Sequence, residues 1–262
     1  MQRSPPTTAL SPSLRISWIF ACGALSSRAL GWHTDHALAL VAAWLVADAA
    51  LGYVFRQLLG LKDDVPPAPA DEAPGYALLR GAVRPAQRAL AVSALTCSGL
   101  VLALATYVGR EPLLVAATTL FVGALLTLLA GQDRAFLARS LGGLHVCAAW
   151  LLGHAALAPL DMGTLGLALV VSLATYARSL LSARPGGARW VLRWAWAVLL
   201  FASIQGRQPL VTAAVAVGAL AELMNHGLSA GRGTSGWAHI QQRVAWLAAT
   251  ALAALASTRW GG

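Results

Sequence analysis

The chain has 262 residues, 58% of them hydrophobic and 11% charged, with 19 Lys plus Arg against 10 Asp plus Glu for a formal charge of +9. Soluble domains carry about a quarter charged residues, so this composition excludes an ordinary water-soluble globule and fits an all-α, polytopic membrane bundle. The excess positive charge lies between apolar runs and not on a basic domain, which argues against nucleic acid as a partner.

The first residues, MQRSPPTTALSPSLR, hold three prolines and no apolar stretch, and residues 1–14 read as a disordered tail without a cleavable signal. A bilayer core ~30 Å thick needs about 20 apolar residues per helix. Nine windows within a single transmembrane domain, 15–258, meet that need: 15–32, 36–60, 86–108, 112–131, 137–158, 160–181, 190–206, 208–225 and 242–258. Turn signals separate them, among them Gly109-Arg110-Glu111-Pro112, Pro159 and Pro185-Gly186-Gly187.

The second window, ALALVAAWLVADAALGYVF, carries a carboxylate, Asp48, at its centre. A charged Asp at that depth costs roughly 2.5–3.5 kcal/mol, so the side chain is expected to be protonated, paired or facing a wet cavity. His145 and His154 in the fifth window are its expected partners, being the other titratable groups well inside a helix. Nine residues apart, those two histidines point to opposite faces of their helix and are not expected to share a haem or metal ion. His33, Asp35 and His36 cluster at the first external turn, where a solvated turn is a simpler reading than a metal site.

The loop 61–85, LKDDVPPAPADEAPGYALLRGAVRP, is long and proline-rich and leads into an arginine stripe at 80, 84 and 88. That stripe reads either as an anchor on anionic headgroups or as a phosphate site, because an Arg fork binds phosphate bidentately. Farther on, Arg178 and Arg184 are further phosphate candidates. Glu222, Asn225 and His226 share one helix face at the end of the eighth window, as a helix end satisfying its own polar groups or as a headgroup site. Cys22, Cys97 and Cys147 form no CxxC pair and all lie in apolar runs, so they read as small core residues. Trp32, Trp190, Trp194 and Trp237 fall near the expected interfaces, as anchoring rings do. No GxGxxG, Walker-type loop, HExxH or GxSxG is present.

Cytoplasmic loops collect Lys and Arg. With nine spans, fifteen of the basic residues fall on one side, and only Arg28, Arg110, Arg207 and Arg259 on the other. This places the N-terminus in the cytoplasm, the C-terminus outside and the chain in a bacterial-type plasma (inner) membrane, with the long loops after spans two, four, six and eight all cytoplasmic.

That layout, with Gly52-Tyr53 near the inner end of span two and the Asp133-Arg134 to Arg139 link opening span five, resembles the UbiA family of intramembrane prenyltransferases over residues ~14 to 258. The resemblance implies a cytoplasmic-facing cavity for an isoprenoid or quinone-like lipid. If the chain is an enzyme, it also implies prenyl transfer with magnesium on the substrate diphosphate, held in that family by aspartate-rich motifs after spans two and six. Here the first corresponding stretch, GYVFRQLLGLKDD, offers the adjacent pair Asp63 and Asp64 as the metal candidates, and the second, YARSLLSARPGGARW, has no acid. A non-catalytic lipid or quinone binder is one outcome of that departure. A different class of reading is a structural subunit or anchor of a larger redox complex, since GALAELMNHG at the end of span eight is faintly similar to the last helices of membrane anchors of molybdenum oxidoreductases. A transporter fits least, because no inverted repeat is visible.

Overall fold

Residues 12–27, 34–61, 85–131, 133–181 and 185–205, with 212, 215, 216, 219 and 220, are described by a computed structural model. All regular structure among them is helical, and they contain no strand. We number the helices α1 (Pro12–Ser26), α2 (Thr34–Trp44), α3 (Leu51–Gly60), α4 (Pro85–Val108), α5 (Arg110–Leu129), α6 (Arg134–Ala155), α7 (Met162–Leu180) and α8 (Pro185–Gln205), with a π-helical segment, Leu45–Ala50, joining α2 to α3 in one continuous rod. These seven rods follow the first seven predicted spans in order. The eighth and ninth spans, 208–225 and 242–258, fall outside the described residues except for helical residues at 212, 215, 216, 219 and 220.

Five of the rods are long and apolar enough to cross a membrane: His36–Gly60, Arg88–Val108, Arg110–Leu129, Arg134–Ala155 and Met162–Leu180. Large apolar side chains stand on their outer faces, for example Leu95, Tyr107, Phe121 and Leu129, each about 70% exposed. A water-soluble monomer does not present so much apolar surface, and a bilayer accepts it without cost.

Local chemistry explains where the rods end. Helix α1 stops at Ser26, six residues short of the sequence expectation. There the hydroxyls of Ser26 and Ser27 fold back, each at 2.6 Å, to donate to the carbonyls of Gly23 and Ala24 and satisfy acceptors that a continuing helix would use. Helix α6 starts three residues early because Asp133 caps it: Phe136 N donates to Asp133 Oδ1 at 2.8 Å. Asp161 caps α7 in the same way, accepting from Thr164 N at 2.7 Å. The expected turn at 109–112 is tighter than its composition suggested. Only Gly109 leaves the helix, and Pro112 sits in the first turn of α5, where its missing N–H is no loss.

Helix α6 is the centre of the bundle. It packs against α1, α5 and α7 and against the α2–π–α3 rod, and its Trp150 is the largest fully buried side chain. Its contact with α1 is backbone to backbone. A Cβ on Gly23 would overlap the Trp150 carbonyl, and one on Gly153 would overlap the Phe20 carbonyl. Two glycines facing each other's helix let the rods approach closely enough for dispersion to hold them, which is how helices associate where no hydrophobic effect operates. A smaller apolar cluster of Phe55, Ala130, Leu137 and Leu141 closes one end of the bundle, where α3 and α5 finish and α6 begins.

Candidate functional site

The regular helix expected over 36–60 is interrupted at its midpoint. From Leu45 to Ala50 the backbone widens to π geometry, and Leu51 N donates to Val46 O, five residues back. Such a turn holds one residue more than an α-turn and is costly enough that it clusters at functional positions. The sequence there, LVADAA, is small enough to be bridged by side chains from other helices. His145 Nε2 on α6 lies 2.6 Å from the Ala47 carbonyl, and Cys97 Sγ on α4 donates weakly to the Ala50 carbonyl at 3.7 Å.

A carbonyl only accepts, so His145 carries a hydrogen on Nε2. Its ring is held on one side by the edge-on Phe55 ring, with centroids 5.4 Å apart. Gly52, one turn before Phe55, also lies against it, and a Cβ there would be 3.3 Å from His145 Cε1. The imidazole thus pins the π-segment against α6.

Asp48 projects from this segment toward α1. Ser17 Oγ donates to Asp48 Oδ2 over a long 3.4 Å, and Trp44 Nε1 donates to Ser17 Oγ at 3.1 Å. This refines the pairing expected from sequence: neither His145 nor His154 hydrogen-bonds to Asp48, although His145 lies close enough to feel its charge. His145 bonds the carbonyl one residue before it, and the aspartate is held by Ser17, a residue the sequence reading passed over. The extra residue of the π-turn rotates the faces beyond it by roughly 100° relative to a regular helix. The group is also open sideways. Asp48 and Ser17 are half-buried, Trp44 and Leu45 are about 40% exposed, and Val41 and Tyr53 flank them on the same outward side of the rod. The group therefore lies at the middle of its rod, next to an exposed apolar face.

His154 belongs to a different neighbourhood. It is buried at the last turn of α6, with Nδ1 2.8 Å from Ser26 Oγ and Nε2 3.1 Å from the Pro159 carbonyl. Thr164 Oγ1 lies 3.5 Å from Nδ1, and it also donates to Asp161 Oδ2 at 3.3 Å. The two histidines do meet different neighbours, as their spacing requires. His154, however, ties α1 and the α6–α7 turn together at the far end and is not at the depth of Asp48.

Among the other sequence candidates, Arg178 lies half-buried in the last turn of α7. Arg80, Arg84, Arg184, Asp63, Asp64, Glu222, Asn225 and His226 lie outside the described residues. Trp190 and Trp194 are exposed at the start of α8 and stack edge to face at 5.7 Å, in keeping with an interfacial anchor. Cys22, Cys97 and Cys147 lie within helices and none of them is in a disulfide. No group of three or more His, Cys, Asp or Glu among the described residues is placed to hold a metal ion, so these residues supply no donor set for magnesium. No protein-family model, curated protein or solved structure matches this chain.

Proposed function

We propose that this protein binds an isoprenoid or quinone-like lipid from within the bilayer, its polar head received at the Ser17–Trp44–Asp48 notch. The observation that carries this reading is the lateral opening of that group at mid-depth. A partly exposed carboxyl facing hydrocarbon leaves acceptor capacity unmet at a cost of several kcal/mol. A ligand that arrives through the lipid with its own hydroxyl removes that cost. A quinone-like head suits the set, because its ring can pack on the Trp44 indole and, in the reduced form, its hydroxyl donates to Asp48, whose neighbours Ser17 and Trp44 already donate within the notch, while its prenyl tail lies along the apolar stripe of Val41 and Leu45.

Kinship with the UbiA-type prenyltransferases belongs to the same reading, as do nine crossings and a cytoplasmic N-terminus. Their support is the segregation of arginines and the alternation of long and short links in the sequence. Prenyl transfer would draw in addition on Asp63, Asp64, Arg80, Arg84 and Arg184 beyond the described helices. A second reading is favoured by the same exposed stripe: a transmembrane helix of a partner subunit covers the notch and supplies the missing hydrogen bond.

Quinones quench indole fluorescence on contact, and Trp44 is part of the notch. Titrating the purified protein in detergent with a short-tailed benzoquinone should give saturable quenching that is lost in Trp44→Phe. Asp48→Leu should weaken binding of the reduced, hydroxyl-bearing form of the same probe by about five-fold, the value of one hydrogen bond. Unsaturable quenching, identical in the wild type and in Asp48→Leu, would remove the lipid reading. Stoichiometric co-purification of a second membrane protein that is lost in Asp48→Leu would favour the subunit reading.

A further inference from the structure

The described helices gather their cations at one end. Arg56, Arg88, Arg139, Arg178, Arg189 and Arg193 all lie where α3 and α7 finish and α4, α6 and α8 begin. One acid, Asp133, accompanies them among the described side chains, and its Oδ1 is engaged as the cap of α6. At the opposite end the balance reverses, with Arg110 beside Glu111 and Asp161.

Within that end Arg139 differs from a solvated cation. It is half-buried, and its Nε–H is shielded from solvent with no acceptor among the described residues. A shielded donor on a charged group calls for an acceptor. The packing around it is fixed one turn away: Ser172 Oγ donates to the Gly143 carbonyl at 2.8 Å, and a Cβ on Gly143 would lie 3.6 Å from Tyr176 Cβ. That contact sets the start of α6 beside the end of α7, so Arg139 borders the α6–α7 seam close to the helix end that carries Arg178. Below it along α7, Leu169 and Leu173 turn outward, each more than half exposed.

We propose that the α6–α7 seam at the arginine-rich end is a binding site for an anionic phospholipid, the phosphodiester bonded by the Arg139 guanidinium and the acyl chains lying on Leu169 and Leu173. A guanidinium fork matches two phosphate oxygens, which a point charge does not. The apolar strip directly below it favours a lipid over a free anion. This site is separate from the Asp48 notch, and each stands or falls without the other.

The test is native mass spectrometry of the full chain released from a neutral detergent, with phosphatidylglycerol and phosphatidylcholine of identical acyl chains added in competition. Wild-type protein should retain phosphatidylglycerol preferentially. Arg139→Gln should lower that preference about five-fold, the value of one basic contact at a membrane surface. Arg139→Lys keeps the charge and loses the fork, and it should lower the preference as well, which covers the case in which the Gln variant does not fold. Arg110→Gln, at the other end, and Asp48→Leu should leave the preference intact. Equal retention of both lipids by the wild type would overturn the proposal, as would a preference unchanged in both Arg139 variants. Displacement of phosphatidylglycerol by inorganic phosphate at equal concentration would also overturn it, by showing a soluble-anion site.

Discussion

Asp48 and His154 are both polar groups inside apolar helices, yet their surroundings give them opposite roles. Every polar atom of the His154 ring has a neighbour: Ser26 and Thr164 at Nδ1, and Pro159 O at Nε2. Asp48 has one long bond from Ser17 and an open side. A satisfied buried histidine is structural. His154→Leu should therefore destabilise by about 1–3 kcal/mol, by orphaning the Pro159 carbonyl. It should leave ligand-induced quenching at the notch unchanged, as read by unfolding in a denaturing detergent beside the quinone titration. Asp48→Asn keeps a hydrogen-bonding group at the same place, so its effect on stability should be within about 1 kcal/mol by the same unfolding measurement. Asp48 was legible in the sequence as an oddity, because one carboxylate in an apolar run is conspicuous by composition alone. Ser17 and Trp44 were not, because a serine and a tryptophan in a membrane span are commonplace until something is seen to lie opposite them.

The α1–α6 contact depends on what is missing from two side chains. With Gly23 against the Trp150 backbone and Gly153 against the backbone of Phe20 and Ala24, a methyl group at either position meets main chain that cannot move aside. Gly153→Ala should therefore push the rods apart and cost about 1–3 kcal/mol, the range of overpacking in a tight interior. Gly142, on the same helix, has open space where its Cβ would be. Gly142→Ala should be neutral or stabilise by up to about 1 kcal/mol through helix propensity. Measuring both variants by unfolding in the same detergent separates contact from propensity; equal effects would show that α1 does not pack as described. Composition reveals that glycines are plentiful, but only the crossing of two rods distinguishes Gly153 from Gly142. The π-segment makes the same point. Nothing in LVADAA announces an extra residue in the turn, because the wide turn is maintained by His145 and Cys97 from α6 and α4, far away in the chain.

At the scale of the molecule, the described helices separate most of their charge along their length, with all the arginines but Arg110 at one end and the acids Glu111 and Asp161 at the other. The proposed threading predicts that a reporter fused to the N-terminus is active only on the cytoplasmic side and one fused to the C-terminus only outside. Reporters on the same side would reverse every assignment of an end to a face. The sequence by itself determined the class of the protein and the course of its first seven rods, because span length and hydropathy are local quantities that the bilayer thickness fixes from outside. Only the tertiary structure decided which polar groups meet. Hydrogen-bond partners in a bundle are chosen by helix rotation and crossing, and in this chain one added residue in the turn around Asp48 rotates the downstream face away from the position a regular 3.6-residue period assigns it.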